Sequence, residues 1–285
     1  MISARGLTKN YNGFVALDGV SFELRDDEIL GVIGHNGAGK TTLLKIMTGL
    51  VPPTRGSLSI NGIDVVEDPV GLKKILGYLP EESHLYETMT VRSYLTFFGE
   101  IYGMAEGAIR EKTDALLGTL SLEAGEKKIG ELSKGMKRKV AIARSLLHDP
   151  AILIYDEPSS GLDPMTSRTI IEFLKDLRKQ RKTIVFSAHN LHQVEEVCDR
   201  VMILRRGKEV AFGSITYTLT FSIGDLSRLG NHRNYRKDGI YYSVEGLDID
   251  GMNELSLSLP GAGGRVERVE SHYPSLEQML VKIGN

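Results

Sequence analysis

The fold is decided by residues 34–41, Gly34-His35-Asn36-Gly37-Ala38-Gly39-Lys40-Thr41, which match the phosphate-binding loop pattern G-x-x-x-x-G-K-S/T at every position. Residues 29–33 predict a buried strand before the loop, and residues 42–50 predict a helix after it, so the context matches too. A chance glycine-rich turn would not carry both. Glycines let backbone N–H groups turn inward around phosphate oxygens at a helix N-terminus. Lys40 would then bridge the β- and γ-phosphates, and the Thr41 hydroxyl would hold Mg²⁺.

The composition is that of an ordinary globular protein. With 285 residues, 41% of them hydrophobic, the chain can bury one full core and has residues left for a small second domain. The 35 basic and 37 acidic side chains nearly cancel, so no nucleic-acid partner is expected. The one cysteine, Cys198, excludes an intramolecular disulfide and is expected to be a small buried side chain. No run approaches the ~20 apolar residues that span a bilayer, so another chain is expected to cross any membrane involved.

Short apolar or alternating runs predict strands on both sides of the loop. They lie at residues 2–4, 15–17, 20–24, 58–60 and 75–79, and Asn61-Gly62 predicts a turn after the fourth. Tyr11 stands before the second run. Its ring could stack on adenine, although from local sequence a surface or core tyrosine is the commoner explanation.

From about residue 82 to residue 149 the pattern changes from strands to helices. Apolar side chains recur at helical spacing over residues 91–104, 108–120 and 137–147, and these stripes are expected to be core. A helical insert between the strands of an α/β sheet is expected to form a subdomain that can move against its parent.

Residues 151–155 form a continuous apolar run that is followed at once by Asp156 and Glu157. This predicts a central strand whose carboxyl end delivers two acids to a crevice, although the pair alone would fit an acidic strand end equally well. Asp156 would hold Mg²⁺, and Glu157 would polarise a water for attack on the γ-phosphate. Neighbouring residues on a strand point to opposite faces, so both acids serve one site only if the strand ends at Asp156. Pro158 favours such an ending.

A further strand at residues 183–187 leads to His189. A lone histidine is more often structural, but ligands collect at the carboxyl ends of strands in open α/β sheets, which favours a γ-phosphate contact. Residues 201–204 and 209–213 then predict a hairpin. The first domain is expected to close near residue 215.

Between the phosphate loop and the acidic strand lies Leu132-Ser133-Lys134-Gly135-Met136, which is similar to LSGGQ, the signature of ABC transporter ATPases. Residues 1–215 therefore resemble the ATP-binding subunit of an ABC transporter. The resemblance implies an α/β P-loop NTPase domain with an N-terminal antiparallel β subdomain and a helical insert at about residues 82–149. It implies ATP and Mg²⁺ as cofactors, a homodimer or heterodimer of ATPase subunits, and an integral membrane permease as partner. It also implies a cytoplasmic location, peripheral on the inner face of the cell membrane.

The same resemblance implies a role for each motif residue. The nucleotide would be bound by Tyr11, stacked on adenine, and by Gly34, His35, Asn36, Gly37, Ala38, Gly39, Lys40, Thr41 and Thr42. Glu157 would be the catalytic base, His189 the switch histidine, Glu81 a further catalytic residue, and Thr41, Asp156 and Glu81 the metal contacts. Leu132, Ser133, Lys134, Gly135 and Met136 would contact the ATP of the opposite subunit, and Ser160, Gly161, Leu162 and Asp163 would form the D-loop.

Two features depart from the family pattern. Lys134 and Met136 replace a glycine and the terminal glutamine of LSGGQ, which is expected to alter affinity or dimer closure while leaving Ser133 and Gly135 in place. Glu81 stands where the family usually has a glutamine that contacts Mg²⁺ and the attacking water and relays nucleotide state to the membrane subunit. Its oxygens can make the same contacts, and its charge makes the site more acidic.

Residues 216–285 carry no catalytic pattern and predict a small α+β appendage. Strands are predicted at residues 241–244 and 255–259, a loop at 260–264 and a helix at 275–283. The ending at residues 273–277 resembles the tail of ATPases that serve exporters. The appendage could equally be a dimerisation or regulatory module.

Two classes of function fit these patterns. The first is an ATPase that couples hydrolysis to export through a membrane partner, which would dock where the Glu81 loop meets the helical insert, near Leu85, Tyr86 and Met89. Those three apolar residues would be explained equally well as local core. The second is a soluble ABC-type ATPase that acts as a clamp on nucleic acid or the ribosome. The near-neutral charge, the lack of a long coiled-coil insertion and the single cassette favour the first.

Overall fold

The computed structural model describes residues 1–189, 191–229 and 235–272, so the helix expected at residues 275–283 lies outside the described residues. The strands described are β1 (Ile2–Tyr11), β2 (Phe14–Leu24), β3 (Ile29–Ile33), β4 (Arg55–Ile60), β5 (Ile63–Asp64), β6 (Leu76–Leu79), β7 (Ile152–Tyr155), β8 (Thr183–Ala188), β9 (Arg200–Arg205), β10 (Lys208–Ser214), β11 (Thr216–Ile223), β12 (Arg236–Asp238), β13 (Tyr241–Leu247) and β14 (Gly264–His272). The helices are α1 (Lys40–Met47), α2 (Pro69–Ile75), α3 (Val91–Ile101), α4 (Glu106–Thr119), α5 (Lys134–Leu146), α6 (Pro164–Lys179), α7 (Leu191–Glu195) and α8 (Ile249–Gly261). Two short 3-10 helices add Ile129–Glu131 and Leu226–Leu229.

A six-stranded sheet of order β10-β9-β3-β8-β7-β6 forms the centre of the molecule. Five strands run parallel, and β10 pairs antiparallel with β9 in the predicted hairpin. Alternate residues serve opposite faces: Ile152 and Ile154 pack toward α1, whereas Leu153 and Tyr155 pack toward α5 and α6. Both faces are covered, which explains the unbroken apolar runs. The carboxyl ends of β3, β7 and β8 therefore meet at one edge.

The N-terminal sheet, of order β2-β1-β4-β5, is antiparallel as expected. The runs predicted at residues 15–17 and 20–24 form one strand, β2. The sheet shares a core with α1 and one face of the central sheet, through side chains such as Leu7, Leu43 and Met202. Together these elements hold the phosphate loop between two packed layers.

Helix α2 was not predicted, and Ile75, assigned to a strand by the sequence, is its last residue. Asp68 caps this helix by accepting a hydrogen bond from the Gly71 N–H at 2.8 Å, and Pro69 occupies its first turn. Asp68 and Pro69 are a helix start signal in the sequence, but the apolar run of β6 led to the strand prediction for Ile75.

Helices occupy residues 91–146 as expected, with shifted ends. Helix α3 ends at Ile101 and α4 begins at Glu106. Helix α5 begins at Lys134, three residues before the predicted start, because Ser133 caps it. Side chains of α3, α4 and α5 share one core with the central sheet. The insert is therefore packed directly on the sheet.

The appendage is α+β, with a sheet of order β12-β13-β11-β14 packed against α8. The strand predicted at residues 255–259 is wrong, because these residues lie in α8. Leu255 and Leu259 are buried one helical turn apart, whereas Leu257 is 82% exposed. The alternating leucines and serines imitate a strand, but Asp248 caps a helix there by accepting the Gly251 N–H. The predicted loop at 260–264 is correspondingly shortened, and strands β11, β12 and β14 were not predicted.

No helix among the described residues is both long enough and apolar enough to cross a bilayer.

Candidate functional site

The phosphate loop joins β3 to α1 at the edge where the parallel strands end. Gly39 takes φ 107°, and a Cβ there would lie 2.7 Å from the Ala16 carbonyl oxygen, so both the backbone angle and the space require glycine. Lys40 is 6% exposed, and its Nζ donates to the Gly34 carbonyl oxygen at 2.7 Å. The lysine ammonium is therefore held inside the loop that the sequence assigns to phosphate.

The two acids follow β7 in the way the sequence required. The strand ends at Tyr155, and Glu157 takes φ 48°, a left-handed conformation that few non-glycine residues adopt. Ser187 ties the turn together, because its hydroxyl donates to Asp156 Oδ1 at 2.5 Å and accepts the Glu157 N–H at 2.9 Å. Ser187 thus contacts both acids, and the left-handed conformation at Glu157 stores local strain in the turn.

The Glu157 carboxylate lies between two cationic or protonatable groups. Its Oε1 is 3.5 Å from Lys40 Nζ and 2.8 Å from His189 Nδ1. Lys40 comes from α1, Glu157 follows β7, and His189 follows β8. Glu157 is 7% exposed, so this arrangement is largely shielded from water, while His189 is 54% exposed and faces the solvent side.

A cavity of about 470 Å³ lies over this cluster. Its lining holds most of the expected nucleotide-binding residues together with Glu81, Glu157, Ser160 and His189, and the loop residues are His35, Asn36, Gly37, Ala38, Gly39, Lys40, Thr41 and Thr42. Gly34 lines an adjoining cavity with His35 and His189. The structure thus brings the phosphate loop, the acidic turn and the histidine to one opening.

Tyr11 does not line that cavity, and its ring lies under the Lys9 ammonium, 5.0 Å from Nζ to the ring centroid. Its cross-strand partner Phe14 does line it and is 66% exposed. Phe14 was not predicted to line the site, although an aromatic residue three positions after Tyr11 in a hairpin was a usable signal. Tyr11 as the adenine-stacking residue stays a prediction.

The signature-like segment lies elsewhere. Ser133 caps α5, its Oγ accepting the Met136 N–H at 3.3 Å, while Lys134 at the start of the helix is exposed. Leu132 is buried and Met136 packs against the main core, so these two side chains serve packing. None of residues 132–136 lines the phosphate-loop cavity.

The D-loop packs against that segment. Gly161, with φ 64°, lies beside the Lys134 ammonium, and a Cβ on Gly135 would lie 3.0 Å from Thr166 Cγ2. Asp163 caps α6 by accepting the Thr166 N–H at 2.9 Å, and hydrogen bonds from Thr166 lower the pKa of the Asp163 carboxyl. The signature-like segment and the D-loop therefore form a second surface of the same chain.

A second cleft, of about 600 Å³, lies between the Glu81 loop, the start of α5 and the D-loop. Lys134, Arg138 and Leu162 line it, and Glu81 and Ser160 line both this cleft and the phosphate-loop cavity. The cleft and the phosphate-loop cavity therefore adjoin each other at Glu81 and Ser160.

A role for Arg138 was not predicted from the sequence, because it stands between Lys137 and Lys139 and nothing in their spacing distinguishes the three. It is 7% exposed and donates hydrogen bonds to the Glu81 loop and to the acidic turn. Burial lowers the pKa of Arg138 to about 10, and the charge of Asp156 opposes the shift. The guanidinium remains protonated at neutral pH.

Comparison with known proteins places these features in a family. The sequence model of the ABC transporter family matches residues 17–160. An uncharacterized ABC transporter ATP-binding protein of Methanocaldococcus jannaschii is 41% identical over 215 residues, covering 75% of this chain and 78% of that protein. The Nod factor export ATP-binding protein I of Rhizobium sp. (strain N33) is 36% identical over 299 residues, covering 99% of this chain and 96% of that protein.

A solved structure gives the same result for the fold. It is the dimeric post-hydrolysis state of an ATP-binding cassette bound to ADP and Pi. Its TM-score is 0.70 at 27% identity, and the match covers 75% of this chain and 98% of that chain.

Proposed function

The chain belongs to the ABC transporter family as an ATP-binding subunit and ATPase, and from that premise we propose that it hydrolyses MgATP in a dimer and powers export through a separate transmembrane permease. The observation that carries the catalytic part is the position of Glu157 Oε1 between Lys40 Nζ and His189 Nδ1. Lys40 leaves the Gly34 carbonyl oxygen to contact the β- and γ-phosphates. Glu157 then accepts a proton from the attacking water, and His189 contacts the γ-phosphate.

Mg²⁺ is the cofactor of this proposal, and the residues present fit it. Asp156 is 1% exposed, and its Oδ2 is buried with no hydrogen-bond partner among the described residues. A buried carboxylate oxygen needs such a partner, and Mg²⁺ prefers oxygen ligands or their waters. Thr41 lines the phosphate-loop cavity together with Glu157, the neighbour of Asp156 in the chain. When bound, the ion neutralises phosphate charge.

The proposed dimer is supported by the separation of the two surfaces. Ser133, Lys134 and Gly135 do not line the phosphate-loop cavity of their own chain, although they stand at the N-terminus of α5 with Lys134 exposed. A helix N-terminus favours anions, so this surface suits the γ-phosphate of ATP held by a second ATPase subunit. The D-loop beside it would enter the same interface. Either a second copy or a related chain fits this proposal.

The proposed permease contact is an apolar surface on the helical insert, which we call the docking surface and define as Tyr86, Phe97 and Ile101. Their exposed fractions are 51%, 39% and 61%. The Tyr86 ring lies 6.1 Å from that of Phe97, so the patch is continuous there. Leu85 and Met89 instead pack against the main core, which fits the local-core explanation for those two. The anchor expected near the Glu81 loop is therefore Tyr86.

Export is favoured because the Rhizobium relative, which matches almost the whole chain, is described as a Nod factor export protein. The proposed location is the cytoplasmic face of the cell membrane. The clamp alternative is not favoured, because the two relatives compared above are described as ATP-binding proteins of a transporter and of an export system. The proposed domains are residues 1–215, with the helical insert at 82–149, and residues 216–285. A separate core of Leu219, Phe221 and Leu255 supports the second.

The docking proposal is tested by binding purified protein to washed membranes of the source organism, with a crosslink to identify the partner. Wild type should crosslink to a protein with about six spans of ~20 apolar residues. Tyr86→Asp should lower that binding about tenfold or more, since it removes an interface anchor, while its basal ATPase stays intact. The matched control is Tyr241→Asp, an exposed tyrosine on the appendage. Equal binding of Tyr86→Asp and the control would place the contact elsewhere.

A further inference from the structure

One buried arginine joins two loops of the catalytic site to the helix that carries the signature-like segment. Arg138 lies on α5, in the second turn after Ser133, and is 7% exposed. Its Nε donates to the Pro158 carbonyl oxygen at 2.9 Å, and its Nη2 donates to the carbonyl oxygens of Asp156 and Glu157, both at 2.8 Å. Three consecutive residues of the acidic turn are thus held by one side chain.

The other guanidinium nitrogen reaches the Glu81 loop. Nη1 donates to the carbonyl oxygens of Pro80 at 2.6 Å and Glu81 at 2.9 Å, and to Ser83 Oγ at 3.2 Å. All six acceptors are uncharged, five main-chain carbonyl oxygens and one hydroxyl. Arg138 therefore does not neutralise a carboxylate through a direct hydrogen bond. It fixes the backbone of two loops in one relative position.

The acidic turn needs such support, because Glu157 takes φ 48°. A non-glycine residue in that region costs free energy and persists only when its surroundings determine it. Ser187 holds the turn from the N–H side, and Arg138 holds it from the carbonyl side. Together they direct the Glu157 carboxylate toward Lys40 and His189.

Only an arginine supplies this set of contacts. A guanidinium presents five N–H donors in a rigid planar fork, whereas a lysine ammonium presents three donors on a flexible stem. The substitution Arg138→Lys would keep the positive charge and lose about half of these contacts or more. It thus separates the effect of the geometry from the effect of the charge.

We propose that Arg138 is a positioning residue for ATP hydrolysis, which locks the Glu157 turn and the Glu81 loop together so that the Glu157 carboxylate is held in its working orientation. This inference rests on the proposed role of Glu157 as the base. The hydrogen bonds that Arg138 makes with the described residues go to the two loops and not to residues 34–42, so its loss should affect hydrolysis far more than nucleotide binding.

The test compares Arg138→Lys with Arg144→Lys. Arg144 is the matched control, because it lies on the same helix and its guanidinium also donates a hydrogen bond, at 2.8 Å to the Tyr94 hydroxyl, away from both loops. Arg138→Lys should lower kcat by about 30-fold or more, since misplacing a catalytic group by about 1 Å costs on the order of 100-fold. The Kd of Arg138→Lys for a fluorescent ATP analogue should stay within about threefold of wild type. For Arg144→Lys, both kcat and this Kd should stay within about twofold of wild type.

A second measurement asks whether Arg138 acts through Glu157. In single-turnover hydrolysis, Arg138→Lys added to Glu157→Gln should lower the residual rate less than about twofold, because residues that act as a unit are not additive. Hydrogen exchange over residues 80–85 should accelerate in Arg138→Lys and not in Arg144→Lys. A purely structural defect would instead weaken ATP binding and multiply with Glu157→Gln.

The outcomes separate this inference from the proposed function. An Arg138→Lys kcat equal to that of Arg144→Lys, or a full multiplicative loss on Glu157→Gln, would overturn the role of Arg138. Hydrolysis by Glu157→Gln at the wild-type rate would overturn the assigned base instead. Should Arg138→Lys not fold, Arg138→Gln is compared with Arg144→Gln instead, because both substitutions remove the positive charge and retain two amide N–H donors.

Discussion

The Glu157 carboxylate lies 2.8 Å from the His189 imidazole, Oε1 to Nδ1, although the two residues follow different strands. The contact exists because β7 and β8 are parallel neighbours, so the residues that follow them meet at one edge. Lys40 approaches the same oxygen at 3.5 Å. In this arrangement Lys40 and His189, which are both proposed to contact phosphate, lie next to Glu157, the proposed base.

His189→Ala should lower the rate of ATP hydrolysis with little effect on ATP affinity. The imidazole contacts Glu157 and is 54% exposed, so its loss removes a catalytic contact without opening the core. We expect kcat to fall by about 100-fold or more, the range typical of a positioned acid–base group. The control is His84→Ala, another exposed histidine on a neighbouring loop. Equal rates for the two variants would remove His189 from the mechanism.

MgATP should drive dimerisation of the Glu157→Gln variant. In the proposed dimer each site takes Ser133 and Gly135 from a partner, so we expect the ATP-bound dimer to accumulate when hydrolysis is blocked. Sedimentation velocity at about 20 µM should then show a dimer with MgATP and a monomer without it, as expected for a micromolar interaction. Adding Lys40→Ala should abolish the dimer. A Glu157→Gln protein that stays monomeric with MgATP would exclude a homodimer and favour a heterodimer.

His148 should make the fold sensitive to mild acid. It stacks on Tyr102, with ring centroids 3.8 Å apart, and its Nδ1 is buried without a hydrogen-bond partner in the described part of the chain. Burial lowers the pKa of His148 below its usual value. The unfolded chain therefore binds the proton more tightly, and stability is present above about pH 6.5 and is lost as the pH falls below it.

Melting temperatures at pH 7.5 and pH 5.5 test this assignment. From pH 7.5 to pH 5.5, the melting temperature of the wild type should fall further than that of His148→Gln. His84→Gln should behave like the wild type, because His84 is exposed. An equal loss in His148→Gln and wild type would show that other groups control the acid response.

The proposed catalytic edge of the central sheet could be predicted from sequence because its residues follow strands or occupy a fixed loop pattern. Residues 34–41 and the pair Asp156-Glu157 needed only the order of strand, loop and helix. The position of His189 at the same edge followed from the rule that ligands collect at the carboxyl ends of strands, whereas its contact with Glu157 was not predicted.

The remaining features depended on tertiary contacts or on start signals that were overlooked. Helix α8 replaced a predicted strand because Leu255 and Leu259 face the appendage core while Leu257 faces solvent. Local alternation does not distinguish these cases when every second residue is serine. Arg138 gave no local signal, since its acceptors come from two loops about 20 and 60 residues away in sequence. Its role became visible only when burial and partners were known.

The most direct test of the account is single-turnover hydrolysis of MgATP by Glu157→Gln, measured beside its equilibrium affinity for MgATP. Glu157→Gln should bind MgATP as tightly as wild type and hydrolyse it at least about 100-fold more slowly, since it loses the base and keeps the shape. Lys40→Ala, by contrast, should lose binding itself. Wild-type hydrolysis by Glu157→Gln would contradict the assignment of the base and with it the proposed catalytic site.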